Sequence, residues 1–541
     1  MFKLIKVSKL LIYSLLSGIL LASSWPINGF TPLIFVSLIP LLYVEDIISK
    51  DSYQKKNIRL FFYSYFSFLI WNLLTTWWIV YTTLPGAIFA NVVNSSFYSI
   101  IFLLYSRVKR KIDYRAGFLF LITFWISFEK FHLNWEFSWP WLNLGNVFSE
   151  RINWIQWYEF TGSFGGSLWV LCSNIFLFSL IKSFHEFDDK RRFYVRLFAR
   201  SVFVCVPILI SFIVKPSIKL GEEFKVLLTQ PRIDPWAAKY GNSSTNLDYF
   251  KIFKELTFNE LKSDQYDFVI TPETYFSEGY GENVEYFKYT KLHDSLSNFL
   301  DEFKNTNLIS GIQFFKLYQN EEDKPSKTAN FIRDNLWVDY YNSSINFSAD
   351  QDFEYNHKEK LVVGSEYMPL KSFLEPLLGN VMIDLGGTTV SKGIQHPSDR
   401  KLFKHSKKDL KTVPIVCYET IYGEYVANYV DLGANFITII TNDAWWFDSP
   451  GHRHLVSYAR LRAIENRRYV VRSANSGVSA IINEVGEYKS SLPFNDKGTL
   501  SGKAYTIDKI TFYSKNGDYI ARISILISVL LLLISFSKLK K

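Results

Sequence analysis

Two long runs of this chain carry no Asp, Glu, Lys or Arg, one from Leu10 to Val44 and the other from Leu60 to Ser106. A membrane span needs roughly 20 mostly apolar residues, so each run is long enough for two. Turn-forming residues interrupt each near its middle, Pro26-Ile27-Asn28-Gly29 in the first and Pro85-Gly86 in the second. The pattern predicts two membrane hairpins. Further apolar stretches near 116–131, 160–181, 199–214 and 521–537 bring the expected spans to eight. The fifth, seventh and eighth have short uncharged cores. They need Arg and Lys at their ends to snorkel to the interface, and buried core helices are the competing explanation. The first run, preceded by Lys3, Lys6 and Lys9, also has the form of a signal peptide.

From about residue 222 the pattern changes to short β-rich runs alternating with amphipathic or polar stretches. Strands are expected at Lys225–Thr229, Asp267–Thr271, Asn307–Phe314, Val413–Tyr418, Asn435–Thr441, Tyr469–Ser473 and Ser479–Asn483. Helices are expected near 246–262, 284–303, 421–432 and 453–465, and the polar stretch Tyr318–Lys327 reads as a surface turn. Such alternation over some 300 residues implies a layered α/β domain with a sizeable core. The expected organisation is a membrane domain over 1–214 with about seven spans, an α/β domain over 215–520 and a last span with a basic tail over 521–541.

Composition sharpens this picture: 48% of the residues are hydrophobic and 18% aromatic, which is not the balance of a soluble protein. Charge then sets orientation. Basic residues gather in alternate loops, at Lys3, Lys6 and Lys9; at Lys50, Lys55, Lys56 and Arg59; at Arg107, Lys109, Arg110, Lys111 and Arg115; and at Lys182, Lys190, Arg191, Arg192 and Arg196. The tail adds Lys538, Lys540 and Lys541, whereas the intervening loops hold little beyond Lys130 and Arg151. The positive-inside rule therefore puts both termini in the cytoplasm and the α/β domain outside. The net charge of +9 is mostly this topology signal, so no nucleic-acid partner is expected.

Cys172 and Cys205 fall in expected spans, leaving Cys417 alone in the outer domain. A lone Cys is usually a small buried hydrophobe. An unpaired one in a disulfide-permissive compartment is also a candidate nucleophile. Three polar sites sit beside apolar strands: Thr271-Pro272-Glu273, His357-Lys358-Glu359-Lys360 and Val416-Cys417-Tyr418-Glu419. Singly, each has a plain explanation as a solvated or capping residue. Jointly they fit one mechanism. A thiol with an ordinary pKa of about 8.5 needs a base or a nearby cation. Glu273 could take its proton and return it to a leaving group. Lys358 could stabilise thiolate and oxyanion, helped by a backbone N–H beside Cys417. Metal chemistry is not expected: there is no His-Glu-x-x-His, and His452-Arg453-His454 reads as structural. Gly162-Ser163-Phe164-Gly165-Gly166 begins an apolar span and reads as close helix packing.

The order Glu273, Lys358, Cys417 resembles the Glu-Lys-Cys triad of the carbon–nitrogen hydrolase (nitrilase) superfamily. The flanking residues are similar to its membrane branch, the apolipoprotein N-acyltransferases: Thr271-Pro272-Glu273-Thr274, Lys358-x-x-Leu361-Val362, Glu366-Tyr367-x-Pro369, Cys417-Tyr418-Glu419, Thr441-Asn442-Asp443-Ala444-Trp445-Trp446, Ala459 to Glu465 and Arg472 to Val478. So are Ser138-Trp139-Pro140-Trp141-Leu142 and Thr161-Gly162-x-x-Gly165-Gly166-Ser167 in the membrane part. The resemblance implies an uncleaved first span and a nitrilase-like αββα sandwich on the periplasmic face of the bacterial inner membrane. It implies that Cys417 takes a fatty acyl chain as a thioester from a phospholipid, typically phosphatidylethanolamine. The chain then passes to the α-amino group of an S-diacylglyceryl cysteine at an apolipoprotein's N-terminus, with no cofactor. Glu273 would be the general base, Lys358 the oxyanion stabiliser and Cys417 the nucleophile, with Glu366, Tyr418 and Glu419 supporting the pocket. The sequence departs from the family in having Val363-Gly364-Ser365 where many members read Pro-Phe-Gly, and Tyr240 where they have Trp, with Trp236 nearby. Trp445, Trp446 and Phe447 are expected either as an aromatic lid dipping into the bilayer interface or as core packing. The rival functions are a membrane-tethered amidase hydrolysing a small amide, and a transporter or scaffold with an inert nitrilase-like domain. Transport usually leaves ionisable residues inside spans, and the two long runs have none.

Overall fold

A computed structural model describes residues 2–51, 55–183, 190–214, 218–234, 244–318, 328–371, 373 and 391–537. The chain forms two compact units, one of residues 1–80, 84–216 and 516–541 and the other of residues 81–83 and 217–515.

The first unit is helical. Its helices are α1 (Phe2–Ser23), α2 (Ile39–Lys50), α3 (Lys56–Thr76), α4 (Leu84–Lys111), α5 (Tyr114–His132), α6 (Tyr158–Lys182), α7 (Lys190–Val214) and, from the C-terminal end of the chain, α12 (Tyr519–Ser537). Six stretches among the described residues are long and apolar enough to cross a membrane: Thr31–Lys50, Lys56–Tyr81, Leu84–Lys111, Tyr158–Lys182, Tyr194–Val214 and Tyr519–Ser537. The stretch Ser8–Ser23 is apolar but shorter, and α5 lies outside the six. The sequence reading of eight spans therefore matches eight helices, of which six meet that requirement. Charge gives the reason for α5, which holds Arg115, Glu129 and Lys130; it packs between α4, α6 and α12, with Glu129 buried. Trp125 Nε1, the Leu144 N–H and Ser167 Oγ donate to that carboxylate at 3.1, 2.7 and 2.6 Å. The first expected break is where α1 ends. The second falls earlier than expected, in a 3₁₀ turn at Trp77–Tyr81. Pro85 occupies the first turn of α4, where a missing N–H costs nothing. Gly162, at φ +60°, kinks α6 within the glycine-rich segment.

The second unit is a four-layer sandwich. Its strands are β1 (Glu223–Gln230), β2 (Phe268–Ile270), β3 (Glu282–Asn283), β4 (Asn307–Tyr318), β5 (Asn330–Arg333), β6 (Leu336–Ser348), β7 (Gln351–His357), β8 (Phe403–Lys404), β9 (Lys411–Val416), β10 (Phe436–Thr441), β11 (Val470–Ala474), β12 (Ser479–Ile482), β13 (Tyr488–Leu492) and β14 (Gly498–Tyr505). One sheet runs β14-β1-β2-β4-β6-β5, with β3 on β4 and β7 on β6; the other runs β13-β12-β11-β10-β9-β8. The centre of each is parallel, β1-β2-β4 in one and β9-β10-β11 in the other. Helices α8 (Asn246–Ser263) and α9 (Lys291–Leu300) cover the first sheet, and α10 (Gly423–Asp431) and α11 (Pro450–Asn466) the second.

Strand periodicity explains the layering. Leu227, Val269 and Leu308 point outward into a core with Phe253, Leu296 and Phe299 of the covering helices. Their neighbours Phe224 and Phe268 point inward and meet Phe436 of β10 at ring-centroid distances of 4.5 and 5.4 Å. Central strands buried on both faces read as continuous apolar runs. Each fully buried Leu or Phe contributes about 1.5–3 kcal/mol to the sandwich. The expected surface turn Tyr318–Lys327 lies outside the described residues apart from Tyr318, the last residue of β4. Trp236 and Tyr240 lie outside them as well.

Candidate active site

Parallel strands end together, so the residues that follow them share one edge of the sandwich. Glu273 follows β2, Cys417 follows β9 and Asn442 follows β10, while Lys358 follows β7. All four are buried.

Glu273 is held by three donors. Asn342 Nδ2 and Lys358 Nζ donate to its Oε1 at 2.7 and 3.1 Å, and the Asn442 backbone N–H donates to Oε2 at 3.0 Å. Its loop turns through Thr274 at φ +47° and lies flat on β4 at Gly311. A Cβ on Gly311 would come within 2.4 Å of Pro272 O and Thr274 N, so only glycine allows the approach. The Asn442 donor is aimed by Asp443, whose carboxylate accepts from Thr441 Oγ1 and from the fully buried Arg472 guanidinium, both at 2.8 Å. Asn475 Nδ2 adds a hydrogen bond to Asn442 Oδ1 at 3.2 Å. The motifs Thr441-Asn442-Asp443 and Arg472 to Val478 thus serve one purpose, fixing a backbone N–H against the carboxylate.

Lys358 is fully buried and bridges two carboxylates, Glu273 Oε1 at 3.1 Å and Glu366 Oε2 at 2.9 Å. Burial alone would drive the ammonium towards neutrality; the charges of Glu273 and Glu366 outweigh it and hold its pKa well above the ordinary value. Glu366 also accepts from Asn342 Nδ2 and from the Val362 N–H, both at 2.9 Å. Although burial opposes its ionisation, Lys358 and Lys392 hold this carboxyl well below the usual range.

Cys417 is a non-glycine residue at φ +52°, a conformation costing about 1–2 kcal/mol that turns the chain sharply out of β9. Burial pushes the thiol well above its ordinary pKa; among charges, Glu273 adds to the rise and Lys358 counters it. The shift favours the thiol over the thiolate, and the Glu273 carboxylate and the Lys358 ammonium are the two largest charge influences on it.

Glu419 lies one turn beyond the thiol and braces the backbone. Its Oε2 accepts from the Val416 N–H at 2.8 Å, and its Oε1 from the Glu359 N–H, the Lys360 N–H and Tyr425 OH at 2.7, 3.1 and 2.9 Å. One side chain therefore ties the end of β9 to the lysine loop. Burial raises its pKa to about 7 against the pull of these donors. Glu359, which in sequence reads as part of a wet Lys-Glu-Lys run, is buried and takes a two-pronged hydrogen bond from Arg400 at 2.7 and 2.8 Å.

Tyr418 is buried with its ring edge-on to Tyr422. Trp446 is buried and Trp445 half-buried, while Phe447, at φ +50°, is 54% exposed. His452 bonds Asp448 and packs on Phe494, and His454 packs on Tyr458. Among the described residues no group of three or more His, Cys, Asp or Glu is arranged to hold a metal. Asn342 and Lys392 are absent from the sequence motifs, and the pairing of Asp443 with Arg472, each of which lies in one, was not foreseen. Asn342 had a visible signal, since Leu336–Ser348 carries a single charge and many β-formers, but its partners are far along the chain.

Residues 17–176 match the N-terminal domain of apolipoprotein N-acyltransferases, and residues 325–504 match the carbon–nitrogen hydrolase domain. The apolipoprotein N-acyltransferase of Chlorobaculum tepidum is 26% identical over 540 residues, covering 98% of this chain and 97% of that protein. That of Geobacter metallireducens is 25% identical over 521 residues, covering 94% and 92%. The Wigglesworthia glossinidia brevipalpis enzyme is 35% identical over 187 residues, covering 33% and 36%.

Proposed function

By both of its domains this chain belongs with the apolipoprotein N-acyltransferases, and from that premise we propose that Cys417 carries a fatty acyl chain from a membrane phospholipid to an apolipoprotein's N-terminal amine. The supporting observation is the carboxylate of Glu273, fixed by Lys358, Asn342 and the Asn442 N–H, with the buried Cys417 following β9 at the same edge of the sandwich.

In the first half-reaction Glu273 takes the Sγ proton as sulfur attacks the ester carbonyl. Lys358 and a backbone N–H beside Cys417 meet the charge of the tetrahedral oxyanion. The intermediate collapses with cleavage of the acyl–oxygen bond, and Glu273 passes its proton to the departing lysophospholipid oxygen, leaving a thioester. In the second half-reaction the α-amino group of S-diacylglyceryl cysteine attacks the thioester and gives its proton to Glu273. The new amide forms as the Sγ leaves and recovers that proton. Asn342, Glu366 and Glu419 hold the reacting groups. Phosphatidylethanolamine is the proposed donor. The α/β unit is proposed to lie on the periplasmic face of the inner membrane, where both lipid-anchored substrates are present, with the termini in the cytoplasm.

Intact mass of the purified protein, before and after neutral hydroxylamine, tests this reading. A fatty-acyl increment that hydroxylamine removes and that Cys417→Ala never carries is expected. No increment after incubation with phospholipid and no amine acceptor would overturn it in favour of a tethered amidase.

A further inference from the structure

The site holds a second cation that the reaction above does not use. The Lys392 side chain is 13% exposed, but its Nζ is buried and has no hydrogen-bond partner among the described residues. It lies 3.6 Å from Glu366 Oε1, on the opposite oxygen from the one that Lys358 contacts. A buried ammonium without a hydrogen bond is costly, so its place needs a reason.

The backbone places Lys392 by design of the same sheet. Its N–H donates to Glu366 O at 2.8 Å, and the Gly393 N–H donates to Tyr340 O at 2.7 Å. A Cβ on Gly393 would come within 2.2 Å of the Tyr341 ring, so glycine lets this segment lie flat against β6 beside Asn342. Charge completes the case. The cluster contains two carboxylates, Glu273 and Glu366, and Lys358 is bonded to both. With Lys358 alone, three groups would carry a net negative charge out of water; Lys392 brings the four to neutrality.

Resting on the function proposed above, we propose that Lys392 is a positioning residue. It neutralises Glu366 from behind, so that Glu366 can stay ionised and anchor Lys358 while Lys358 still serves Glu273 and the developing oxyanion. The groups that face Glu366 are Lys358 from the end of β7, Asn342 from β6, the Val362 N–H and Lys392, with Glu273 beyond Asn342 and Lys358. Lys392 is one of the two cations that hold the Glu366 carboxyl down. Removing it lets Glu366 take up a proton at higher pH, which loosens Lys358.

The test is the pH profile of Cys417 acylation in the full chain, followed by intact mass with phosphatidylethanolamine in detergent micelles. Lys392→Met is expected to move the acidic limb upward, so that acylation slows most at the lowest pH tested. The half-saturating phospholipid concentration should stay near wild type, and Lys392→Arg should restore the profile. In a Glu366→Gln background, further loss of Lys392 should leave the limb where it is. An unmoved limb in Lys392→Met, or the same shift in both backgrounds, overturns the proposal. If Lys392→Met does not fold, the charge-balanced Glu366→Gln/Lys392→Met protein must recover folding, and its failure to do so also overturns it. A wild-type chain that never acylates Cys417 would sink the acyltransferase reading itself, which is a separate outcome.

Discussion

At the scale of residues, the site is a set of carboxylates with different duties set by their partners. Glu273 accepts from an ammonium, an amide and one backbone N–H, of which the ammonium and the amide are side chains shared with Glu366. Glu419 accepts four hydrogen bonds, all from donors, and touches only the frame. Glu419→Gln replaces an acceptor oxygen by a donor, so at least one buried N–H or O–H must face another donor. The expected cost is about 1–3 kcal/mol. Acylation of Cys417 should fall by at least about tenfold, because the brace between thiol strand and lysine loop is lost. Thermal unfolding and the rate of the mass increment check both figures; a variant with wild-type values would show that the brace is dispensable.

At the scale of elements, the candidate catalytic residues lie just beyond strand ends, Glu273 and Cys417 after parallel strands and Lys358 after the antiparallel β7. The strands were legible because β1, β2, β9, β10 and β11 are short apolar runs bounded by polar residues. Their ends moved by a residue or two: β9 stops at Val416, and Cys417 opens a 3₁₀ turn instead of closing the strand. The hairpin of β6 and β7 escaped the sequence reading since its polar residues, Asn342 among them, break the expected alternation. The helix expected over 284–303 narrows to Lys291–Leu300, with a 3₁₀ turn at Phe287–Tyr289 in its first part. Gly311 is where the Glu273 loop presses on β4 with no room for a Cβ. Gly311→Ala should push the Glu273 loop off β4, with a stability loss of about 1–3 kcal/mol as for other overpacked sites. It should reduce acylation far more than an alanine at the surface position Lys262; equal effects would mean that the loop tolerates displacement.

At the scale of the whole molecule, the helical unit reflects composition more directly than the sandwich does. Runs without charge make helices because a bilayer leaves backbone groups no other partner. Orientation belongs to the proposal and rests on loop charge. In a cysteine-free background, a membrane-impermeant maleimide added to spheroplasts should label Arg151→Cys and Lys262→Cys. Asn57→Cys should react only after lysis. The reverse pattern would invert the topology.

The sequence by itself determined the helices, the sandwich's central strands and the three residues proposed for the acyl chemistry, because periodicity and residue type are local properties. Only the tertiary structure decided how the active groups are held. Asn342 meets Glu273 and Glu366 across 69 and 24 residues, Arg472 meets Asp443 across 29, and Arg400 meets Glu359 across 41. Each is an ordinary polar residue until burial removes water as its alternative partner, and only the packed sheets say which buried partner replaces it.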